Sequence, residues 1–168
     1  MQNIINQRLS AIETLPYQFC LKQVIHADAD IIFQCLKEAS TWSKWAFPIK
    51  SVIWTSPPPF GVGTTRKVNL IAGLEAEEIF IAWEEGRRMA FTFTDSNQNL
   101  VDIFIEDYQL IALNDNITEL TWSVYMKPKG LGHVSLFFFQ PFLRLGMRYL
   151  AKQFRNFIDA YSDTKMSQ

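Results

Sequence analysis

Residues 99–127 read NLVDIFIEDYQLIALNDNITELTWSVYMK, and this stretch decides the fold. Two-residue alternation puts Phe104, Glu106, Tyr108 and Leu110 on one face of a first strand. The same spacing puts Leu120, Trp122, Val124 and Met126 on one face of a second. Asn114-Asp115-Asn116 between them accepts tight-turn geometry, so the pair is an antiparallel hairpin of strands 99–112 and 117–127. Upstream the pattern repeats, with strands at 64–71, 74–84 and 87–95. Their breaks are Gly73, Glu85-Gly86 and Asp95-Ser96-Asn97. Downstream the period changes: Leu143, Met147, Leu150, Phe154, Phe157, Ile158 and Tyr161 step by three and four, which is one long amphipathic helix. Pro141 suits a first helical turn, leaving Val134 to Gln140 as a separate turn or a kinked extension.

At the other end, Phe19, Leu21 and Ile25 share a face of a strand over residues 17–26. Asp28 is an N-cap for a short helix through about Glu38, carrying Ile31, Ile32, Cys35 and Leu36 on one side. Ser40 caps a second short turn with Trp42 and Trp45 on one face, and Pro48 ends it. A strand over 49–55 follows, then a stiff loop, Pro57-Pro58-Pro59-Phe60-Gly61-Val62-Gly63. The fold class is therefore α+β: a curved antiparallel sheet of about six or seven strands around a long C-terminal helix, with two short helices after the first strand. The expected organisation is an N-terminal extension at 1–16, one domain over 17–163 and a tail at 164–168.

The totals narrow the function. Of 168 residues, 48% are hydrophobic, enough for a real core. Fourteen Phe, five Trp and five Tyr must either stack as core or line an apolar pocket. A formal net charge of −1 gives the whole chain no attraction to nucleic acid. Cys20 and Cys35 have neither disulfide-framework nor zinc spacing, so a reducing, cytoplasmic setting is expected. Met1 to Ser10 lacks the basic and apolar regions of a signal peptide, and no run reaches membrane-spanning length.

Several segments, in order, resemble a known pattern. Ile25-His26-Ala27-Asp28-Ala29-Asp30-Ile31-Ile32-Phe33 is similar to a strand-to-helix junction, and Trp42-Ser43-Lys44-Trp45 to a tryptophan-bearing second helix. Pro59-Phe60-Gly61-Val62-Gly63-Thr64 is similar to a Gly-x-Gly strand start. Trp83-Glu84-Glu85-Gly86-Arg87-Arg88-Met89 looks like an acidic turn, and Asp115-Asn116-Ile117-Thr118-Glu119-Leu120-Thr121-Trp122 like a late turn with a Thr-x-Leu-x-Trp strand. Together, over roughly residues 17–160, they resemble the START-like SRPBCC superfamily of polyketide cyclases and dehydratases, lipid-transfer domains and birch-pollen-allergen-like proteins. The resemblance implies a helix-grip fold with a ligand cavity between sheet and C-terminal helix. It does not imply one activity.

Trp42, Trp45, Phe47, Trp54 and Phe60 gather around the short helices and the proline loop, which the resemblance makes one end of that cavity. They are a gate or rigid core filling. Phe91 with Phe93, Tyr108, Leu120, Trp122 and Val124 are lining candidates on the sheet, and Met147 and Phe154 on the helix. Arg66 and Tyr108 are candidates to orient a ligand. Glu75, Glu77, Glu78, Asp102, Glu106 and Asp107 are the densest carboxylates, a solvated face or, inside a cavity, an acid and base. Glu106, sharing parity with Phe104 and Tyr108, is the first catalytic candidate, with Tyr108 beside it. His26 and His133 are too far apart in sequence to suggest a metal triad, and no metal or other cofactor is expected. Gly61-Val62-Gly63-Thr64-Thr65-Arg66 lacks a phosphate-loop pattern and precedes a strand.

Arg144, Arg148, Lys152 and Arg155 form a basic stripe next to the apolar face of the last helix. With Phe137, Phe138 and Phe142 they could touch an anionic membrane surface transiently, or remain a solvated face. The expected function is binding or carriage of a small hydrophobic molecule: a lipid, a quinone, or a polyketide-like or aromatic compound. The alternatives are a cyclase, dehydratase or hydrolase using Glu106 or Tyr108, and a regulatory protein-interaction domain. The oligomeric state is not readable from the chain.

Overall fold

Seven strands form one antiparallel sheet in the order β1-β7-β6-β5-β4-β3-β2. They are β1 (Tyr17–Ile25), β2 (Ile49–Trp54), β3 (Thr65–Leu70), β4 (Glu75–Glu84), β5 (Arg88–Ser96), β6 (Val101–Asn114) and β7 (Ile117–Pro128). The helices are α1 (Gln2–Ala11), α2 (Ala29–Lys37), α3 (Trp42–Trp45) and α4 (Gly132–Met166). This computed structural model describes residues 2–98, 100–130 and 132–166. The side chains of residues 2, 132, 133, 135–137, 139 and 163–166 also lie outside the description, so His133 and the membrane-contact candidate Phe137 are not placed.

The deciding hairpin forms as its alternation requires, with Tyr108 opposite Trp122 and Leu110 opposite Leu120. The Asp28 carboxylate accepts the Asp30 N–H at 2.7 Å and caps α2. The Trp42 indole N–H donates to the Leu36 carbonyl at 2.9 Å, fixing α3 against the end of α2. Of the two alternatives for Val134 to Gln140, a separate turn or a kinked extension of the helix, the structure removes the separate turn: α4 runs from Gly132 with Pro141 inside it. Only one intrahelical N–H is lost at a proline, and the surrounding turns keep the helix running. At its other end α4 continues to Met166, into the stretch expected to be a tail.

The two faces of the sheet bury different things. On the concave side α4 packs on β1, β7, α2 and α3 over an aromatic-rich core that includes Phe33, Phe80, Phe91, Tyr108, Trp122 and Phe154. On the convex side α1, which the sequence pattern left unassigned, covers an aliphatic cluster of Ile5, Leu15, Ile79, Ile81 and Ile105. Strand β4 slips register against β5 between Phe80 and Ala82. Ile81 and Ala82 therefore both join the convex cluster, while Phe80 and Trp83 meet on the concave side at 5.0 Å between ring centroids.

Candidate functional site

The site is built from side chains that alternation turns to the concave face. Arg66 on β3 stands directly opposite Glu78 on β4, and the guanidinium Nε donates to the carboxylate at 2.5 Å. Both side chains are buried, 1% and 5% exposed. The rings of Trp42 and Phe91 lie 4.3 and 4.4 Å from the guanidinium carbon, so the cation sits between two aromatic rings. Burial pushes the Glu78 carboxyl up from its ordinary range against the pull of Arg66.

Farther along the sheet a second carboxyl is held differently. Glu106 on β6 accepts the Tyr108 hydroxyl at 2.5 Å and the Trp122 indole N–H at 3.2 Å on the same oxygen. Among the described residues it has no cation in ion-pair contact. Burial among protein atoms raises its pKa to about 7, helped by the Glu78 charge and opposed by these hydrogen bonds and by Arg66. Burial first, and the Glu106 charge second, hold the Tyr108 hydroxyl protonated well above its usual range. The two polar pairs thus feel each other's charge across one aromatic interior.

Exposure along β6 shows where this interior opens. Leu110 and Tyr108 are buried, whereas Glu106, Phe104 and Val101, each two or three residues further toward the strand's start, are half-buried. Phe93 stacks on Phe104 at 4.3 Å between centroids and is half-buried too. At the Trp42 end the rings fill the space themselves: Tyr108 stacks on Trp122 at 5.2 Å, Trp45 meets Phe154 at 4.7 Å, and Trp42 is edge-on to Phe91 and Tyr108. Much of the aromatic excess is therefore packed core, and Glu106 stands where the fully buried positions of β6 give way to half-buried ones. Two buried donors in the filled half, Arg66 Nη1 and Trp45 Nε1, have no acceptor among the described residues. A separate cleft of about 220 Å3 lies between β1 and α4, lined by Phe19, Leu21, Arg144 and Met147 among others; Glu106 is not in its wall.

The candidates divide accordingly. Trp42, Trp45, Arg66, Phe91, Tyr108, Leu120, Trp122, Val124 and Phe154 are brought together on the concave side. Phe93 lies at its open end, Met147 in the flanking cleft, and Trp54 stacks on Phe60 at the rim at 4.3 Å. Phe47 is a correction: it is 62% exposed and meets Tyr149 instead of the interior, because the preceding Ala46 takes the buried position in that turn. Of the other carboxylates, Glu75 pairs with Lys67 and Asp102 with Lys127 in solvent, while Asp107 pairs with Arg88 on the convex side. Phe80, which had no expected role, also belongs to the candidate site, and Glu78, weighed only as one of a run of carboxylates, is the one that pairs with Arg66. Glu78 shares strand parity with Phe80, a signal masked by the run Glu75-Ala76-Glu77-Glu78. Among the described residues, no three His, Cys, Asp or Glu side chains are gathered as a metal ion would need.

A curved antiparallel sheet gripping a long C-terminal helix, with polar side chains buried in its aromatic concave face, defines a helix-grip protein. The chain belongs to the polyketide cyclase/dehydrase and lipid transport family, which matches residues 18–159 and lies within the START-like SRPBCC superfamily. An uncharacterized protein of Mycobacterium tuberculosis is 38% identical over 152 residues, covering 90% of each chain. The fold is similar to an aromatase/cyclase, Zhui, from Streptomyces, with TM-score 0.69 and 12% identity over 89% of this chain and 95% of that one. It is also similar to a START superfamily protein of Mycobacterium smegmatis, with TM-score 0.67 and 11% identity over 86% and 98%. No helix among the described residues is long and apolar enough to cross a membrane.

Proposed function

We propose that this chain binds a small, largely apolar molecule, aromatic, quinone-like or polyketide-like, at the open end of the concave face, with a hydroxyl or carbonyl oxygen against Glu106. One observation carries the reading: a carboxyl with no cation in ion-pair contact among the described residues, fixed by Tyr108 and Trp122, borders half-buried Phe93 and Phe104. Burying a carboxyl in this way opposes folding, so its presence is better explained by recognition than by stability. With a pKa of about 7, Glu106 donates a hydrogen bond when neutral and accepts one when charged. Covering roughly 200–300 Å2 of apolar ligand at about 25 cal/mol per Å2 gives several kcal/mol before association costs, which corresponds to micromolar binding at best. The free, exposed Cys20 suits a reducing, cytoplasmic setting, which belongs to the same reading.

The test compares 1-naphthol with naphthalene, which share an apolar body and differ by one hydroxyl, using the intrinsic fluorescence of Trp45 and Trp122. Wild type is expected to prefer 1-naphthol by about ten-fold, and Glu106→Leu to lose that preference while still binding naphthalene. Equal affinity of wild type for both compounds overturns the assignment. A second reading is favoured by the Glu106–Tyr108 contact itself: a carboxyl near neutrality bonded to a phenol is a proton-transfer pair suited to cyclisation or dehydration. Turnover of a polyketide-like substrate that follows a pKa near 7 and disappears in Glu106→Gln would select this reading over simple carriage.

A further inference from the structure

We propose that the outward face of the first half of α4, residues 134–149, docks on an anionic lipid surface. Val134, Phe138, Phe142, Leu145 and Tyr149 follow one another at spacings of four, four, three and four, which places them on one stripe of the helix. Each is between 49% and 67% exposed. The stripe is about 22 Å long at 1.5 Å per residue. Phe47, 62% exposed against Tyr149, extends it onto the loop before β2, between exposed Lys44 and Lys50 in sequence. Past Tyr149 the same outward direction carries Gln153 and Asn156, so the apolar character stops midway along the helix.

The charges beside the stripe identify the occupant. From Gly132 to Ile158 the chain has four Lys and Arg and no Asp or Glu, although the whole protein has 16 basic and 17 acidic residues. Arg144, Arg148 and Lys152 are exposed, and none of the ion pairs among the described residues uses a cation of α4. Arg144 lies 5.7 Å from the Phe19 ring and with Arg148 lines the cleft beside β1, so the cations flank the α4 stripe on its β1 side. Exposed rings with cations alongside match the boundary between acyl chains and anionic headgroups. A second copy of this chain is the poorer fit, because symmetric pairing would set these cations against one another. α4 is not apolar enough to span a bilayer, so it would lie along the surface.

The experiment is flotation of the full chain with phosphatidylcholine vesicles, with and without about 30% phosphatidylserine. Wild type should bind the anionic vesicles at least about ten-fold better than neutral ones, and less as salt rises from about 0.1 to 0.5 M. Phe138→Ser with Phe142→Ser should lower binding about ten-fold, and Arg144→Glu with Arg148→Glu should remove the anionic preference. Far-UV circular dichroism checks that each variant is folded, and Leu145→Ser replaces the double Phe variant if that one is not. Absence of wild-type binding, equal binding to neutral vesicles, or a dimer in light scattering that the Phe variants dissociate would each overturn the proposal. The 1-naphthol titration on the same variants should be unchanged, which separates failure here from failure of the concave-face reading.

Discussion

Glu106 is hydrogen-bonded by Tyr108 and Trp122 yet has a carboxyl raised from an ordinary 4.5 to about 7. In the folded chain it holds its proton over a pH range where the unfolded chain has released it. Its contribution to stability is therefore complete below about pH 4.5 and is lost as pH rises through 7. Glu78, raised by burial, acts in the same direction. Urea denaturation of wild type should lose on the order of 2 to 3 kcal/mol between pH 5 and pH 8 from Glu106, and Glu106→Gln should remove most of that slope. A variant as steep as wild type would refute the assignment. The parity of Glu106 with Phe104 and Tyr108 was readable from alternation alone. The raised pKa was not, because it depends on burial and on what the neighbouring strands place around the carboxyl.

At the level of elements, the strands and the cap of α2 follow from alternation, turn residues and Asp28. The irregular features do not. The slip in β4 sends Ile81 and Ala82 to one face and brings Phe80 to Trp83, and a period of two cannot announce such a slip. Pro141 reads as a helix start, yet the turn before it is helical because the segments on either side both favour the helix. An interior proline removes one hydrogen bond and crowds the carbonyl four residues earlier. Pro141→Ala should therefore raise stability by about 1 to 3 kcal/mol in urea denaturation. An unchanged or lowered midpoint would mean that the first turns of α4 are not part of the cooperative unit.

Over the whole molecule, a sheet with two apolar faces needs two covers. α4 covers the concave side, while α1 folds back over the convex side to bury Ile5 with Ile79, Ile81 and Ile105. Ile5, 3% exposed, should cost about 2 to 4 kcal/mol when changed to Ala, measured by chemical denaturation. A loss below about 0.5 kcal/mol would show that α1 is not held against the sheet in solution. α1 gives a weak sequence signal: Gln2–Ala11 is mostly polar, with Ile5 buried and Ile4 and Leu9 packed partly buried beside it. Charge is also divided at this scale, since an almost neutral chain places an acid-free basic stretch along α4.

Local physics was sufficient for the strands, the turns, the long helix and the inward face of Tyr108 and Trp122, because side-chain direction in a strand depends only on position along it. The order of its motifs already pointed to the helix-grip fold. The tertiary structure decided the rest. It set Arg66 against Glu78, sent Phe47 outward, filled much of the concave face with rings and left Glu106 half-buried at the edge of that packing. Those outcomes depend on volumes and charges brought together from strands, loops and α4 far apart in the chain, and no single window of sequence contains them.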